Sequence, residues 1–331
     1  MIDVYRKEVK ASHNFFTFTT YVSMFPQLIA GPIVRYETLE EELEKRTINF
    51  EGYSKGLVRF LDGVFKKVLI ANTVGFLWSI ISTNQINSVL TAWLGIIAFS
   101  LQIYFDFSGY SDMAIGMGKM LGFNYLENFD YPYIATSITD FWRRWHISLS
   151  TWFRDYVYIP LGGSRCKKII NIRNILIVWM LTGIWHGANW NFIIWGLYFG
   201  IILIIEKFVL KKYLDKMPKF LKHVYALILI IIGWLIFAFD DMTLLSNFTK
   251  QLLGIGNVLI DNSFMFYLTN YGLIILIGII FSTPIYKVIK DKFNKNVAFN
   301  VLLFIIYVIL FVITLSFIVS DTYNPFLYFR F

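Results

Sequence analysis

His186 is the residue of this chain whose surroundings are least usual for an ionisable side chain. It stands between two apolar runs, Ile169 to Trp185 and Trp190 to Ile205, each long enough to form most of a membrane span. An ionisable group at such a place faces protein or water rather than lipid, and it often marks a functional site. The alternative is a histidine that packs at a helix end beside a carbonyl, and this stretch alone does not separate the two.

A second histidine, His146, lies in a segment whose spacing predicts one amphipathic helix. Ser137, followed by Asp140, is typical of a helix N-cap, and Pro160 predicts the end of the helix. Apolar side chains recur along one face: Phe141, Trp145, Leu149, Trp152 and Tyr156. A second stripe has the same helical period: Arg143, His146, Ser150 and Arg154. The segment therefore predicts an aromatic face and a face that carries arginine and histidine.

The basic residues of this predicted helix are Arg143, Arg144 and Arg154. Arginine suits bidentate recognition of phosphate or carboxylate, so an anion site is one interpretation. A helix that lies in the membrane interface with its arginines toward lipid headgroups is another. Structural ion pairs are a third, because Asp140 and Asp155 are close in the sequence.

Two aspartates, Asp106 and Asp112, stand near the end of an apolar run, where buried carboxylates must be paired or protonated. They could coordinate a metal ion, but no histidine or cysteine spacing typical of a metal site lies near them, and we predict no metal site. We expect them instead to pair with one of the three arginines of the amphipathic helix: Arg143, Arg144 or Arg154.

These residue types permit general-base catalysis. His186 would take the proton from a hydroxyl while that oxygen attacks an activated acyl group. Asn189, with Asn191 and Thr182 nearby, would orient the ring or bind a developing oxyanion. A proton-relay transporter also uses intramembrane histidine and aspartate, so the residues leave transport open as a second class of function.

The elements that must position these residues are apolar helices. The chain has 331 residues, 57% of them hydrophobic and 16% charged, against about 25% charged in soluble domains. We therefore predict an all-α, polytopic helical membrane protein with one transmembrane domain over residues 1–331. The net charge of +8 comes from lysines and arginines in short loops, which indicates cytoplasmic loops beside anionic membrane lipid rather than nucleic-acid binding.

About seven stretches are long and apolar enough to span a membrane. Gly56 to Ile81 is the first, and Leu90 to about Gly122 is predicted as a span followed by a broken turn. The other five are Ile169–Trp185, Trp190–Ile205, His223–Phe239, Tyr271–Ile289 and Val297–Val319. Phe15 to Ala30 is short and contains Pro26, which predicts a re-entrant segment. Asn124 to Arg165 carries too many charges to span.

The distribution of charge predicts the orientation of these spans. Placing the loops rich in lysine and arginine on the cytoplasmic side gives a consistent alternation. Two loops then lie outside: Thr83 to Thr91 has no charge, and Asp240 to Asp261 is mostly acidic or neutral. An acidic, helix-prone stretch from Glu37 to Lys45 predicts a surface helix.

Several motifs together resemble the membrane-bound O-acyltransferase family, in its bacterial alginate and peptidoglycan O-acetyltransferase branch. They follow the family's order over nearly the whole chain: Phe25–Arg35, Tyr104–Asp112, Glu127–Tyr133, Asp140–Ser150, Trp152–Tyr156, Thr182–Asn189 and Asn324–Arg330. The family's catalytic histidine, in a Trp-His-Gly motif, corresponds to His186. Its second characteristic histidine corresponds to His146. The resemblance implies a helical bundle with re-entrant segments around a central passage.

The resemblance also implies a function. An acyl group, acetyl in this branch, would pass from a cytoplasmic donor such as acetyl-CoA or another activated acyl group toward hydroxyls of an extracytoplasmic polysaccharide. We expect no tightly bound cofactor, a plasma-membrane location, and an extracytoplasmic SGNH-type acetyltransferase as a partner. With His186 and His146 as catalytic residues, we assign four residues to substrate binding: Arg143, Arg144, Trp185 and Asn189.

Other interpretations remain beside this one. A D-alanyl transfer protein of teichoic acid synthesis shares the histidine motifs, although Ile159 to Arg165 favours the polysaccharide branch. Family members carry several further spans before the segment at Phe25, whereas Met1 stands shortly before it here. We therefore expect a chain that lacks the family's N-terminal helices, and an inactive truncated copy is an alternative, as is a transporter of acyl groups or sugars.

Overall fold

The computed structural model describes residues 1–28, 31–84, 88–256 and 258–320. These residues form helices joined by turns. The α-helices are α1 (Ile2–Tyr5), α2 (Phe15–Ser23), α3 (Tyr36–Glu44), α4 (Phe50–Phe65), α5 (Asn72–Thr83), α6 (Val89–Met120), α7 (Ile138–Arg144), α8 (Ile147–Phe153), α9 (Lys168–His186), α10 (Trp190–Ile205), α11 (Lys211–Lys216), α12 (Lys219–Ala238), α13 (Met242–Leu252), α14 (Asn262–Phe281), α15 (Ile285–Phe293) and α16 (Val297–Ser320). The motif Asn324–Arg330 lies outside the described residues, as do Ile29 and Ala30 within the Phe25 motif.

Wider helical turns join some of these helices without a break in direction. Three π-helical turns occur in the described chain: Lys66–Ala71 between α4 and α5, Arg154–Tyr158 after α8, and Glu206–Leu210 between α10 and α11. Helices joined in this way act as single long rods, so α4 and α5 form one span and α10 and α11 form another.

Seven helices of the described chain are long and apolar enough to cross a membrane, which confirms the predicted polytopic all-α class. They are Phe50–Thr83, Val89–Met120, Lys168–His186, Trp190–Lys216, Lys219–Ala238, Asn262–Phe281 and Val297–Ser320. The short predicted re-entrant stretch contains α2, which has nine residues and is not among them. The acidic surface helix is present as α3, where Leu39 is the buried residue.

The stretch Leu90 to about Gly122, which was predicted as a span followed by a broken turn, is helical almost to its end. α6 is one helix of 32 residues. Two of its glycines, Gly109 and Gly116, lie against the backbone of α4, where a side chain would not fit. Small residues in this stretch therefore permit close packing of α4 on α6 and do not interrupt the helix.

The predicted partners of the two buried aspartates were wrong. Asp112 accepts from Arg59 at 2.7 Å and from Lys66 at 2.6 Å, and Asp106 pairs with Lys67 at 2.5 Å. These cations come from α4 and the π-helical turn after it, because that rod packs along α6. Pairing itself was expected, since a lone buried carboxylate is costly.

Contacts at one end of the bundle agree with the predicted orientation of the loops. Ser88 and Thr91 both donate to the Asp261 carboxylate, at 2.9 and 3.1 Å. The Val89 N–H donates to the carbonyl of Val258. The two loops that were predicted to lie outside therefore meet at the same end.

The amphipathic segment is not the single helix that its spacing predicted. α7 ends at Arg144 and α8 begins at Ile147, with His146 between them in the left-handed region at φ 45° and ψ 55°. Phe141, Trp145 and Leu149 are buried as expected, but the break rotates the later turns. Phe153 is therefore buried in place of Trp152.

Replacing Asp112 by alanine is expected to lower the stability of the protein by about 3 kcal/mol, because it leaves Arg59 and Lys66 without their shared carboxylate. Thermal unfolding of the detergent-solubilised protein measures the change. Glu51→Ala is the matched control, since Glu51 forms an exposed pair with Lys55. That control should leave the melting temperature unchanged, and equal melting temperatures for both variants would contradict the prediction.

Candidate active site

A cavity of about 690 Å³ lies among α7, α8, α9 and α10, and both His146 and His186 line it. This agrees with the expectation that the two histidines share a site despite their separation in sequence. Trp185 packs against both, with its ring centroid 6.1 Å from that of His146 and 5.0 Å from that of His186. The two imidazoles therefore contact the same indole.

His186 is the last residue of α9, and its position depends on how closely α9 and α10 approach. A Cβ on Gly183 would meet the carbonyl oxygen of Phe192 at 2.4 Å, so only glycine permits this contact. Gly187 then ends the helix at φ 155°, a backbone region that favours glycine. The His186 side chain is consequently held in the interior with 8% of its surface exposed.

The surroundings of His186 are mostly aromatic. The rings of Trp195 and Phe237 pack edge-on against it, with centroids at 5.0 and 5.3 Å, and Phe192 lies at 6.3 Å. Such rings hold the imidazole in place and exclude bulk water from it. A proton transfer at this ring would therefore take place in a medium of low polarity.

His146 has a more polar environment. Its Nδ1 lies 3.1 Å from the Oδ1 of Asn128, and the edge of Phe107 packs on the ring at 4.6 Å. Burial lowers the pKa of the His146 imidazole well below its ordinary value, and the neighbouring His186 acts in the same direction. At neutral pH the ring is therefore uncharged, with one N–H and one lone pair.

All four members of the predicted arginine and histidine stripe line the cavity: Arg143, His146, Ser150 and Arg154. The four side chains thus face the same cavity, although the helix is broken at His146. Arg154 donates to Asp155 at 2.6 Å and, together with Arg35, holds the pKa of that carboxyl below its usual range. Arg143 is exposed at the cavity mouth and has no carboxylate partner among the described residues.

The structure does not bring every predicted substrate-binding residue to the cavity. Arg144 pairs with Asp130 at 3.0 Å and Asp140 at 2.9 Å and is absent from the lining. Asn189 is exposed at the start of α10 and is also absent from it. Arg143 lines the cavity, and Trp185 touches both histidine rings from outside the lining.

Of the two polar residues named near His186 in the sequence, Thr182 lines the cavity and Asn191 does not. Thr182 donates to the Val178 carbonyl of its own helix at 2.8 Å. Asn191 is fully buried, and its amide donates to the carbonyl of Phe237 at 3.3 Å. Asn191 therefore joins the beginning of α10 to the end of α12.

Glu206 was missed by the sequence analysis and is buried in the cavity wall. Its carboxylate accepts from the N–H groups of Ile138 and Thr139 at 2.7 and 2.9 Å, and from the Thr139 hydroxyl at 2.7 Å. A negative charge at these first N–H groups stabilises the beginning of α7. The available signal was an acidic residue directly after the long apolar run that ends at Ile205.

The mouth of the cavity is strongly basic. Besides the two arginines it is lined by Lys207, Lys211 and Lys222, from one stretch predicted to be cytoplasmic, and these cations outnumber the acidic lining residues Glu206 and Asp215. Lys207 donates to the Oδ1 of Asn171 at 2.8 Å. Within the described chain none of these three lysines has a carboxylate partner. Such a mouth attracts an anionic molecule, and the aromatic walls of Trp142 and Trp179 suit an apolar group further in.

Comparison with known proteins places this geometry in a family context. A model described as MBOAT, membrane-bound O-acyltransferase family, matches residues 5–246. The chain is 44% identical over 256 residues to a probable alginate O-acetylase of Pseudomonas aeruginosa, covering 77% of this chain and 49% of that protein. It is 40% identical over 252 residues to a peptidoglycan O-acetyltransferase of Helicobacter pylori, covering 74% and 48%.

A more distant similarity involves a teichoic acid D-alanyltransferase of Bacillus subtilis, 32% identical over 202 residues, covering 57% of this chain and 50% of that protein. The chain thus spans about half the length of the curated relatives it matches.

A cysteine placed in the cavity should react faster with an anionic thiol reagent than with a cationic one. We expect about a tenfold preference of Ser150→Cys for the sulfonate over the trimethylammonium methanethiosulfonate, because the mouth is basic. The rates are measured by mass spectrometry in a Cys166→Ser background, which removes the single native thiol. Ser111→Cys is the control, since Ser111 is buried and absent from the lining. Equal rates for the two reagents would show that the mouth has no effective positive charge.

Proposed function

Because this chain belongs to the membrane-bound O-acyltransferase family, we propose that it transfers an acyl group, acetyl, from an activated cytoplasmic donor to a hydroxyl of an extracytoplasmic polysaccharide. The observation that carries the proposal is a single cavity that begins at a basic mouth and ends at two adjacent histidines. A site of this form suits a donor with an anionic end and a small acyl end.

The proposed reaction transfers the acyl group from a thioester to an alcohol. The His186 imidazole accepts the proton of the acceptor hydroxyl as its oxygen attacks the acyl carbonyl. A carbon–oxygen bond forms, the bond between the acyl carbon and the donor sulfur breaks, and the proton passes to the departing thiolate. His146 contacts the same Trp185 ring and contributes a second hydrogen-bonding group to the same site.

The proposed donor is acetyl-CoA, bound only during turnover. Its phosphates would be held at the mouth by Arg143, Lys211 and Lys222, while the pantetheine arm extends along the wall of Trp142 and Trp179. Phosphates suit this mouth because these cations have no carboxylate partner within the described chain. Another phosphorylated acyl donor would use the same cations.

The proposed acceptor is a cell-surface glycan. The relatives at 44% and 40% identity have names that refer to alginate and peptidoglycan, whereas the D-alanyltransferase is more distant at 32%. This difference favours acetyl transfer over D-alanyl transfer. A plasma-membrane location and an SGNH-type acetyltransferase that completes the transfer outside the membrane belong to the same proposal.

Replacing His186 by alanine is expected to lower ester formation about 10²- to 10⁴-fold, the usual contribution of a general base. Base-released acetate from cell-surface glycan gives the activity, and membrane fractions show whether the protein is still inserted. His13→Ala is the control, because His13 is exposed and lies outside the cavity. Full acetylation by the His186 variant would refute the assignment.

Transport without bond formation is tested with the same protein in detergent. Purified protein with labelled acetyl-CoA, glycan and the SGNH-type acetyltransferase should form an ester in the absence of any sealed membrane, whereas the SGNH-type enzyme alone should form none. A transporter would form none under these conditions.

Removing one mouth cation should raise the KM for acetyl-CoA about tenfold, the loss of one charge-assisted hydrogen bond, and leave kcat unchanged. Arg143→Ala and Lys211→Ala are the variants, and S-acetylpantetheine, which has no phosphate, is the comparison donor. Its KM should not respond to either variant. Lys295→Ala changes an exposed lysine away from the cavity and should affect neither donor. Equal effects on both donors would place the phosphates elsewhere.

A further inference from the structure

Asn128 is buried where the amphipathic segment is interrupted, and it supports that junction through its main chain and its side chain. Its carbonyl accepts from the N–H of Ile147 at 3.0 Å, and its Oδ1 accepts from the N–H of Ser148 at 3.1 Å. These are the first two N–H groups of α8, and the N-cap residue His146 does not cap them with its side chain. Asn128 therefore supplies the acceptors that allow α8 to begin here.

The same contacts define which way the Asn128 amide points. The N–H of Ser148 is always a donor, so the atom that faces it must be the amide oxygen. The Ser148 hydroxyl also donates to this oxygen, at 2.9 Å. The amide nitrogen then points the other way and donates to the Oγ of Ser111 at 3.1 Å. A reversed amide would set two donors against each other at Ser148.

The orientation of Asn128 determines which nitrogen of His146 carries the proton. Nδ1 lies 3.1 Å from the Asn128 oxygen, and this contact is attractive only if Nδ1 bears a hydrogen. We propose that Asn128 is a positioning residue that holds neutral His146 in its Nδ1–H tautomer, so that Nε2 is the ring nitrogen with a lone pair for the cavity.

The tautomer also determines what His146 can do in acyl transfer. This consequence rests on the proposed function. An Nε2 lone pair accepts a hydrogen bond from a neighbouring hydroxyl of the sugar acceptor and so orients the attacking oxygen, whose own proton passes to His186. Nε2 cannot donate to the carbonyl oxygen of the acyl group. Donors other than His146 must therefore stabilise the negative charge that develops on that oxygen.

The tautomer can be measured directly by ¹⁵N NMR of the full chain labelled at its histidine rings. The chain has four histidines, and the signals missing from a His146→Ala sample identify those of His146. We expect a protonated Nδ1 and an unprotonated Nε2 in the native protein at neutral pH. A native His146 with its proton on Nε2 would overturn the proposal.

Three variants test whether Asn128 determines the tautomer of His146. Asn128→Leu removes the acceptor, and a mixture of tautomers with a proton on Nε2 is expected. Asn128→Asp keeps an acceptor for both Ser148 and His146, so the Nδ1–H form should persist. Ser111→Ala removes only the far partner of the amide and should also leave the tautomer unchanged. A pure Nδ1–H signal in Asn128→Leu would overturn the proposal.

Activity measurements then separate a positioning role from a structural one. Acyl transfer should fall about tenfold or more in Asn128→Leu and recover in Asn128→Asp, in parallel with the tautomer. The NMR experiment needs no donor or acceptor, so it gives a result even if the native protein transfers no acyl group. An inactive native protein with Nδ1–H in place would refute the proposed function and leave the tautomer assignment intact.

Discussion

Helix beginnings inside an apolar bundle have no water to satisfy their first N–H groups, and the candidate site depends on how two such beginnings are satisfied. The carboxylate of Glu206 accepts from the first turn of α7. The carbonyl and side chain of Asn128 accept from the first turn of α8. Because α7 and α8 carry Arg143 and His146, these two acceptors determine where both residues stand relative to the cavity. The geometry of the site is therefore coupled to the end of α10 and to the loop after α6.

The two histidines differ in a way that suits different tasks. His146 has an amide partner at one nitrogen, which restricts its protonation and its rotation. His186 is packed among Trp185, Trp195 and Phe237, which restrict its rotation by shape. An imidazole with a fixed hydrogen-bond partner is suited to orienting a hydroxyl. An imidazole enclosed by rings is suited to a proton transfer from which water must be excluded.

Local patterns in the sequence were sufficient for the features that depend on local chemistry. Seven spans follow from hydropathy, and the stripe of Arg143, His146, Ser150 and Arg154 follows from helical spacing. The break at His146 could not be foreseen from its own segment, because the acceptor that permits it lies 18 residues away in Asn128. Glu206 acts 68 residues from its partner Ile138, and Arg59 lies 53 residues from Asp112. Long-range pairing of this kind is decided by which helices pack together, and periodicity within one helix carries no such information.

The cavity follows α9 along much of its length. The lining residues of α9 recur on successive turns: Ile175, Val178, Trp179, Thr182 and His186. Because α9 begins at a basic loop and ends at His186, the cavity runs from the lysine-rich mouth toward the opposite end of that helix. Trp185, which is half-exposed and lies outside the lining, touches both histidine rings at that end. An anionic donor at the mouth would then need to send only its acyl end past the interior, since carrying its charges across the apolar bundle would be far more costly.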